Sequence, residues 1–112
     1  MDNLRIAIVE GRVVRDADYT NENEISFEIG IQEVSYSDKN KRYETKTTFI
    51  PIVYSGANVN LYRSNISKDV KVRAIGNISS REVFDALYRK YRHEIIVIAN
   101  ELQFSQDLNQ KW

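Results

Sequence analysis

Residues 24–33 constrain the fold more than any other stretch. Ile25, Phe27, Ile29 and Ile31 alternate with Glu24, Ser26, Glu28, Gly30 and Gln32. Side chains of an extended strand point alternately to its two faces, so this period of two describes a half-buried strand, one face in a core and the other in water. The wet face is acidic, which makes it a poor bed for a phosphate chain. A strand with one buried face needs partners, and the chain supplies them on both sides.

Residues 4–9 are apolar at every position but Arg5, and their β-branched content favours a strand. Gly11 interrupts it ahead of Val13 and Val14, as a glycine does at a bulge or where a small barrel turns a corner. Residues 15–23 are polar and read as a solvated turn, so the first two strands make a hairpin. Residues 34–44 combine turn formers with cations and two tyrosines and read as an exposed hairpin loop. Residues 45–55 resume a strand, with Phe49, Pro51, Val53 and Ser55 on one face and Ile50, Ile52 and Tyr54 on the other. Pro51 has no N–H to donate to a ladder, which places it at an edge or a bulge.

Val59, Tyr62 and Ile66 then fall at helical spacing, predicting a short helix with Ser55 as a candidate cap. Over residues 69–78 Val70, Val72 and Ala74 alternate with Lys71, Arg73 and Ile75, and Gly76 is a second candidate corner. Residues 79–93 read as a protruding hairpin or arm, although Val83, Leu87 and Tyr91 also have helical spacing. Residues 94–104 are the last strand. Five strands with one short helix between the third and fourth is the order of an all-β OB-fold, a five-stranded Greek-key barrel. An SH3-like barrel is the competitor and does not ordinarily carry a helix there. The expected domain spans residues 1–104, with 105–112 a short polar tail, and 112 residues suffice for one core but not two.

Several function classes fall away. The chain has no cysteine, which excludes disulfides, thiolate nucleophiles and Cys-ligated zinc. The single histidine, His93, has no second base, nucleophile or ligand arranged with it. The acid pairs Asp16/Asp18 and Glu22/Glu24 sit in turn-like segments, without the convergence that metal-dependent hydrolysis needs. A protein that is not an enzyme and carries no cofactor is expected. Charged residues break every apolar run before it reaches membrane-spanning length, and no signal-peptide pattern is present, so a cytoplasmic protein with no membrane partner is expected.

The formal net charge is zero, but the charge is not spread evenly. Residues 39–92 hold twelve of the sixteen Lys and Arg against four acids, a net +8, while residues 1–38 carry −6 and residues 93–112 carry −2. Seven of the twelve aromatic residues lie in the same basic stretch. Rings interleaved with cations suit a single-stranded nucleic acid, since cations follow the phosphates while rings stack on bases. The plainer reading is that Tyr and Phe are ordinary strand residues and that Lys and Arg cover the wet side of a sheet.

Four segments together resemble the bacterial single-stranded DNA-binding protein (SSB) family. Residues 3–16 pass from an apolar run through Gly11 to Arg12 and Asp16, as in that family's first strand. Phe49 stands seven residues before Gly56, as in its third strand, and Lys68 to Gly76 is similar to its fourth. Tyr91, Glu94 and Ile95 match the Tyr-x-x-Glu-Ile/Val that opens its fifth. The resemblance implies a DNA strand running over the third strand, the two long loops and the fourth strand. It implies base stacking on Phe49, with Phe84 and Tyr36 near two further stacking positions. It also implies a homodimer or homotetramer, nucleoid association, and a part in DNA replication, recombination or repair.

The chain also departs from the pattern. Pro51 stands where the family has a cation, and Ser55 where it has an aromatic, with Tyr54 one position off and on the opposite face. The family's long tail with an acidic, Phe-ended tip has no counterpart before Trp112, so tail-mediated recruitment of other proteins is not expected. The expected stacking residues are Tyr36, Phe49, Phe84 and Tyr88. Arg12, Lys46, Lys71, Arg73, Arg81, Arg89 and Lys90 are the expected phosphate contacts. The alternative is an OB-fold protein-interaction module, similar to small primosomal adaptors, that binds DNA weakly or not at all.

Overall fold

The strand predicted by alternation is β2 (Glu24–Ser37), whose residues Ile25, Phe27 and Ile29 are buried. In the computed structural model, which describes residues 5–17 and 22–105, it pairs with β3 (Arg42–Ser55) in a long antiparallel ladder. Phe27 opposes Ile52 and Ile25 opposes Tyr54, so two apolar faces meet in register. β1 (Ile6–Val13), β4 (Lys71–Asp85) and β5 (Lys90–Ser105) complete the strands, and the single helix α1 (Val59–Arg63) lies between β3 and β4. The order β1-β2-β3-β5-β4 closes on itself, giving the OB-fold barrel that the element order predicts. Closure between β3 and β5 is parallel and short, residues 52–54 against 97–99.

Inward-pointing aliphatic side chains hold the barrel together. Val13, Ile25, Ile29, Ile52, Ile66 and Val72 are fully buried, each worth roughly 1.5 to 3 kcal/mol of removed apolar surface. Two glycines let strands cross closely enough to enclose that core. A Cβ on Gly11 would lie 2.5 Å from the carbonyl oxygen of Gly30. One on Gly76 would collide with the backbone of Ile98, at the point where the β4–β5 register shifts. Close backbone approach therefore demands glycine at both positions, and at Gly76 it coincides with an irregularity in the ladder. The strand of Pro51 is neither an edge nor bulged there: Pro51 opposes Glu28 within the β2–β3 ladder, and β3 gains its ladder to β5 from residue 52 onward, so the proline falls just before the segment paired on both sides.

The helix packs into the barrel through Val59, and Ile66 beyond it is also buried. Tyr62 meets the buried Tyr54 edge-on at 4.8 Å and Phe104 at 5.8 Å. Ser55 is not its cap. The N-cap is Asn58, because an N-cap must adjoin the first helical residue, Val59. Asn58 makes no side-chain cap bond, and its own N–H donates to the Tyr54 hydroxyl at 3.3 Å.

Two hairpins extend past the barrel. The predicted loop at residues 34–44 is mostly strand: β2 runs to Ser37 and β3 begins at Arg42, leaving only residues 38–41 as the turn. The ambiguous stretch at 79–93 is an arm made from the ends of β4 and β5, with Phe84 opposite Tyr91 and Asp85 opposite Lys90. The Asp85 carboxylate accepts from the N–H groups of Leu87 and Tyr88 and so shapes the turn at its tip. β5 continues to a buried Ser105, and residues 106–112 of the expected tail lie outside the described residues, as does Asp18.

Candidate nucleic-acid interface

Directly opposed residues of neighbouring strands share a face of the sheet. Phe49 opposes Gly30, Gly30 opposes Arg12, and Arg12 opposes Lys71. One row therefore crosses β3, β2, β1 and β4 on the outside of the barrel, with a ring at one end and two cations at the other. Gly30 is what makes the row flat. A Cβ there would come within 3.6 Å of the Phe49 ring and 3.3 Å of Thr47, so the ring leans over β2 into space that any other residue would fill. Phe49 is nevertheless 55% exposed, with a face free to stack.

The same face continues along the β2–β3 hairpin. Tyr36 lies six residues beyond Gly30 and Tyr43 six before Phe49, so both keep the outward parity of the row. They oppose each other and meet edge-on at 5.3 Å. At about 3.3 Å per residue the tyrosine pair stands roughly 20 Å from the Phe49 platform. Tyr43 was not among the expected residues. Continuing the strand pairing up to the turn would have found it, because it is the register partner of Tyr36.

The expected cations occupy different surroundings. Arg12 is exposed and donates to the carbonyl of Asp69 at 3.2 Å. Lys71 and Arg73 share one acid: Lys71 Nζ lies 3.3 Å from Glu10 and Arg73 Nη2 2.9 Å from it. Glu10 opposes Arg73 on the outer face of β1, one row beyond Arg12 and Lys71. Lys46 is three residues from Phe49 on β3 and so leaves the ribbon on its other face.

The arm also sorts its residues by face. Phe84 is 54% exposed and lies against Tyr91 at 5.1 Å, again a ring pair across two strands. Arg81 belongs to the opposite face and pairs with Glu94 at 3.0 Å, so it does not stand beside Phe84 as the sequence suggested. Tyr88 and Arg89 occupy the tip, where Arg89 takes a positive φ of 51°, and Lys90 Nζ lies 5.9 Å above the Tyr88 ring.

Two hollows flank Phe49. Thr47 lines the first, of about 460 Å³, together with Arg12, Gly30, Gln32 and Lys71. Pro51 lines the second, of about 390 Å³, with Arg15, Asp16, Ser26, Glu28 and Arg81. Because Thr47, Phe49 and Pro51 are alternate residues of β3, Phe49 falls between the two, and each hollow sets two cations beside two acids, Glu10 and Asp69 in the first and Asp16 and Glu28 in the second. Arg15 was missed by the sequence reading, which saw only a polar turn there. Tyr54 is buried and Ser55 exposed, so the row has no second ring on β3. His93 is exposed opposite Glu82, and the described residues hold no cluster of three His, Cys, Asp or Glu able to bind a metal. No helix among them is long and apolar enough to cross a membrane.

No family model and no curated protein sequence matches the chain. Its fold is similar to that of solved SSB proteins. A Plasmodium falciparum SSB in complex with single-stranded DNA superposes with a TM-score of 0.77 at 19% identity, over 95% of this chain and 98% of that one. A small single-stranded DNA-binding protein from Streptomyces coelicolor superposes with a TM-score of 0.71 at 12% identity, over 95% and 97%.

Proposed function

We propose that this protein binds single-stranded DNA with little sequence preference, by stacking bases on exposed rings and holding phosphates with Lys and Arg. The row Phe49, Gly30, Arg12 and Lys71 carries the reading, because it sets a bare ring beside cations on an open strand surface. The shared fold with proteins described as SSBs supports it. Bases stack on Phe49, and the strand continues toward the Tyr36/Tyr43 pair on the same face. Phe84, Tyr91 and Tyr88 extend the surface onto the arm. Processes that expose single strands, replication, recombination and repair, are where such a protein acts.

A stacked base contributes roughly 1 to 3 kcal/mol. Two or three rings per subunit give only about micromolar binding once ordering costs are subtracted. Tight binding therefore calls for several subunits on one strand. The fold offers a surface for this: among the described residues, residues 6–11 of β1 pair with β4 on one side only, and Ile6 and Ile8 on that strand are 63% and 64% exposed. Across the sheet Ile75 opposes Ile8, and Ile98 lies in the Ile6 row. An open strand edge with an apolar face is a pairing site for a second copy, giving a homodimer or homotetramer.

Titrating fluorescent oligo-dT and a duplex of equal length tests the reading. Selective binding of the single strand is expected. Failure to bind either would favour the adaptor-like alternative, which the engagement of Lys71 and Arg73 by Glu10 also suits.

A further inference from the structure

We propose that the hollow beside Pro51 is a subsite for a base edge that disfavours thymine, with Glu28 as the residue that reads it. This rests on the single-strand reading above and qualifies its low sequence preference with a bias of about tenfold at one subsite. Glu28 opposes Pro51 on the outer face of β2, one row from the Gly30/Phe49 platform, and is half-buried. The hollow holds about 390 Å³, room for one base, between Arg15, Asp16, Ser26, Glu28, Pro51 and Arg81.

The partners of these groups decide what enters. Arg81 is held by Glu94, and Asp16 accepts from the N–H of Lys68 at 2.9 Å. Glu28 and Arg15 have no ion pair or side-chain hydrogen bond among the described residues. An unpartnered carboxylate beside a stacking ring repels phosphate and accepts hydrogen bonds, so it suits an amino group on a base. Cytosine presents such an edge, with its N4 amino group as donor next to the N3 and O2 acceptors. Glu28 accepts from N4, while the Arg15 guanidinium donates to N3 or O2. Adenine and guanine also carry an exocyclic amino group. Thymine has none: only its N3–H could donate to Glu28, and that pose sets O4 and O2 on either side of the carboxylate, lone pairs against negative charge. Pro51 closes the hollow without a backbone N–H that would compete for those acceptors.

The test is fluorescence anisotropy at pH 8 with oligo-dC and oligo-dT of one length, on the full chain, its Glu28→Gln variant and its Glu28→Ala variant. A contact of this kind discriminates by about tenfold. The chain should bind oligo-dC about tenfold more tightly than oligo-dT. Both substitutions should bring the two within about twofold, largely by strengthening oligo-dT binding. Glu28→Gln keeps the shape of the hollow and can donate to thymine O4. Equal binding of the two by the unmodified chain would overturn the proposal, as would a cytosine preference that survives Glu28→Ala. Failure to bind either oligonucleotide would overturn the single-strand reading and this subsite together.

Discussion

Glu10 stands between two cations that would otherwise face the DNA path, and its effect can be separated from that of the ring. Glu10→Gln releases Lys71 and Arg73 from a shared carboxylate. Single-strand affinity at low salt should rise, and the slope of log K against log salt should steepen by roughly 0.7 for each cation newly in contact with a phosphate. An unchanged slope would mean that these two residues only solvate the sheet. Phe49→Ala should weaken oligo-dT binding by 1 to 3 kcal/mol, about five- to 150-fold, with little change in melting temperature. Tyr54→Ala should do the reverse, costing about 3 to 5 kcal/mol of stability because Tyr54 is buried against Tyr62. Alternation alone separated these two rings from the sequence. It could not reveal Glu10 as the partner of Lys71 and Arg73, because that pairing joins residues 61 and 63 positions apart through the β1–β4 register.

Two long hairpins turn a small barrel into a larger surface, and both carry a ring pair across their strands. Phe84→Ala should weaken binding by about as much as Phe49→Ala, and Tyr91→Ala should weaken it too, since Tyr91 supports Phe84 from the opposite strand. Normal affinity in both, measured by the same anisotropy titration, would confine the interface to the barrel. Gly76→Ala tests the barrel itself. Its new Cβ would strike the Ile98 backbone at the register shift, so a loss of about 1 to 3 kcal/mol is expected in chemical denaturation. The order of elements and the two glycine positions were legible because β-branched runs and glycines mark them locally. The hairpin boundaries were not. Polar turn formers at 34–44 hid a ladder that cross-strand pairing sustains, and the helical spacing of Val83, Leu87 and Tyr91 is incidental, since Leu87 lies in the turn at the arm's tip.

Over the whole molecule, zero net charge conceals a basic middle and acidic ends, and the fold gathers rows of that basic stretch onto the outer surface. If three to five cations per subunit meet phosphates, the salt slope should lie between roughly −2 and −3.5 for a single strand. A flat dependence would contradict the electrostatic half of the account. Light scattering at micromolar concentration should give a dimer or tetramer, and charge placed on the apolar face by Ile6→Glu with Ile8→Glu should produce monomers that bind long strands far more weakly than the parent. A parent chain that is already monomeric would remove the avidity argument. The most direct check on where DNA lies is ultraviolet crosslinking to oligo-dT followed by mass spectrometry of the adducts. Crosslinks are expected at Phe49 and at the Tyr36/Tyr43 pair, on one face. Crosslinks confined to Tyr62 by the helix, or to the Ile6 and Ile8 surface, would contradict that placement.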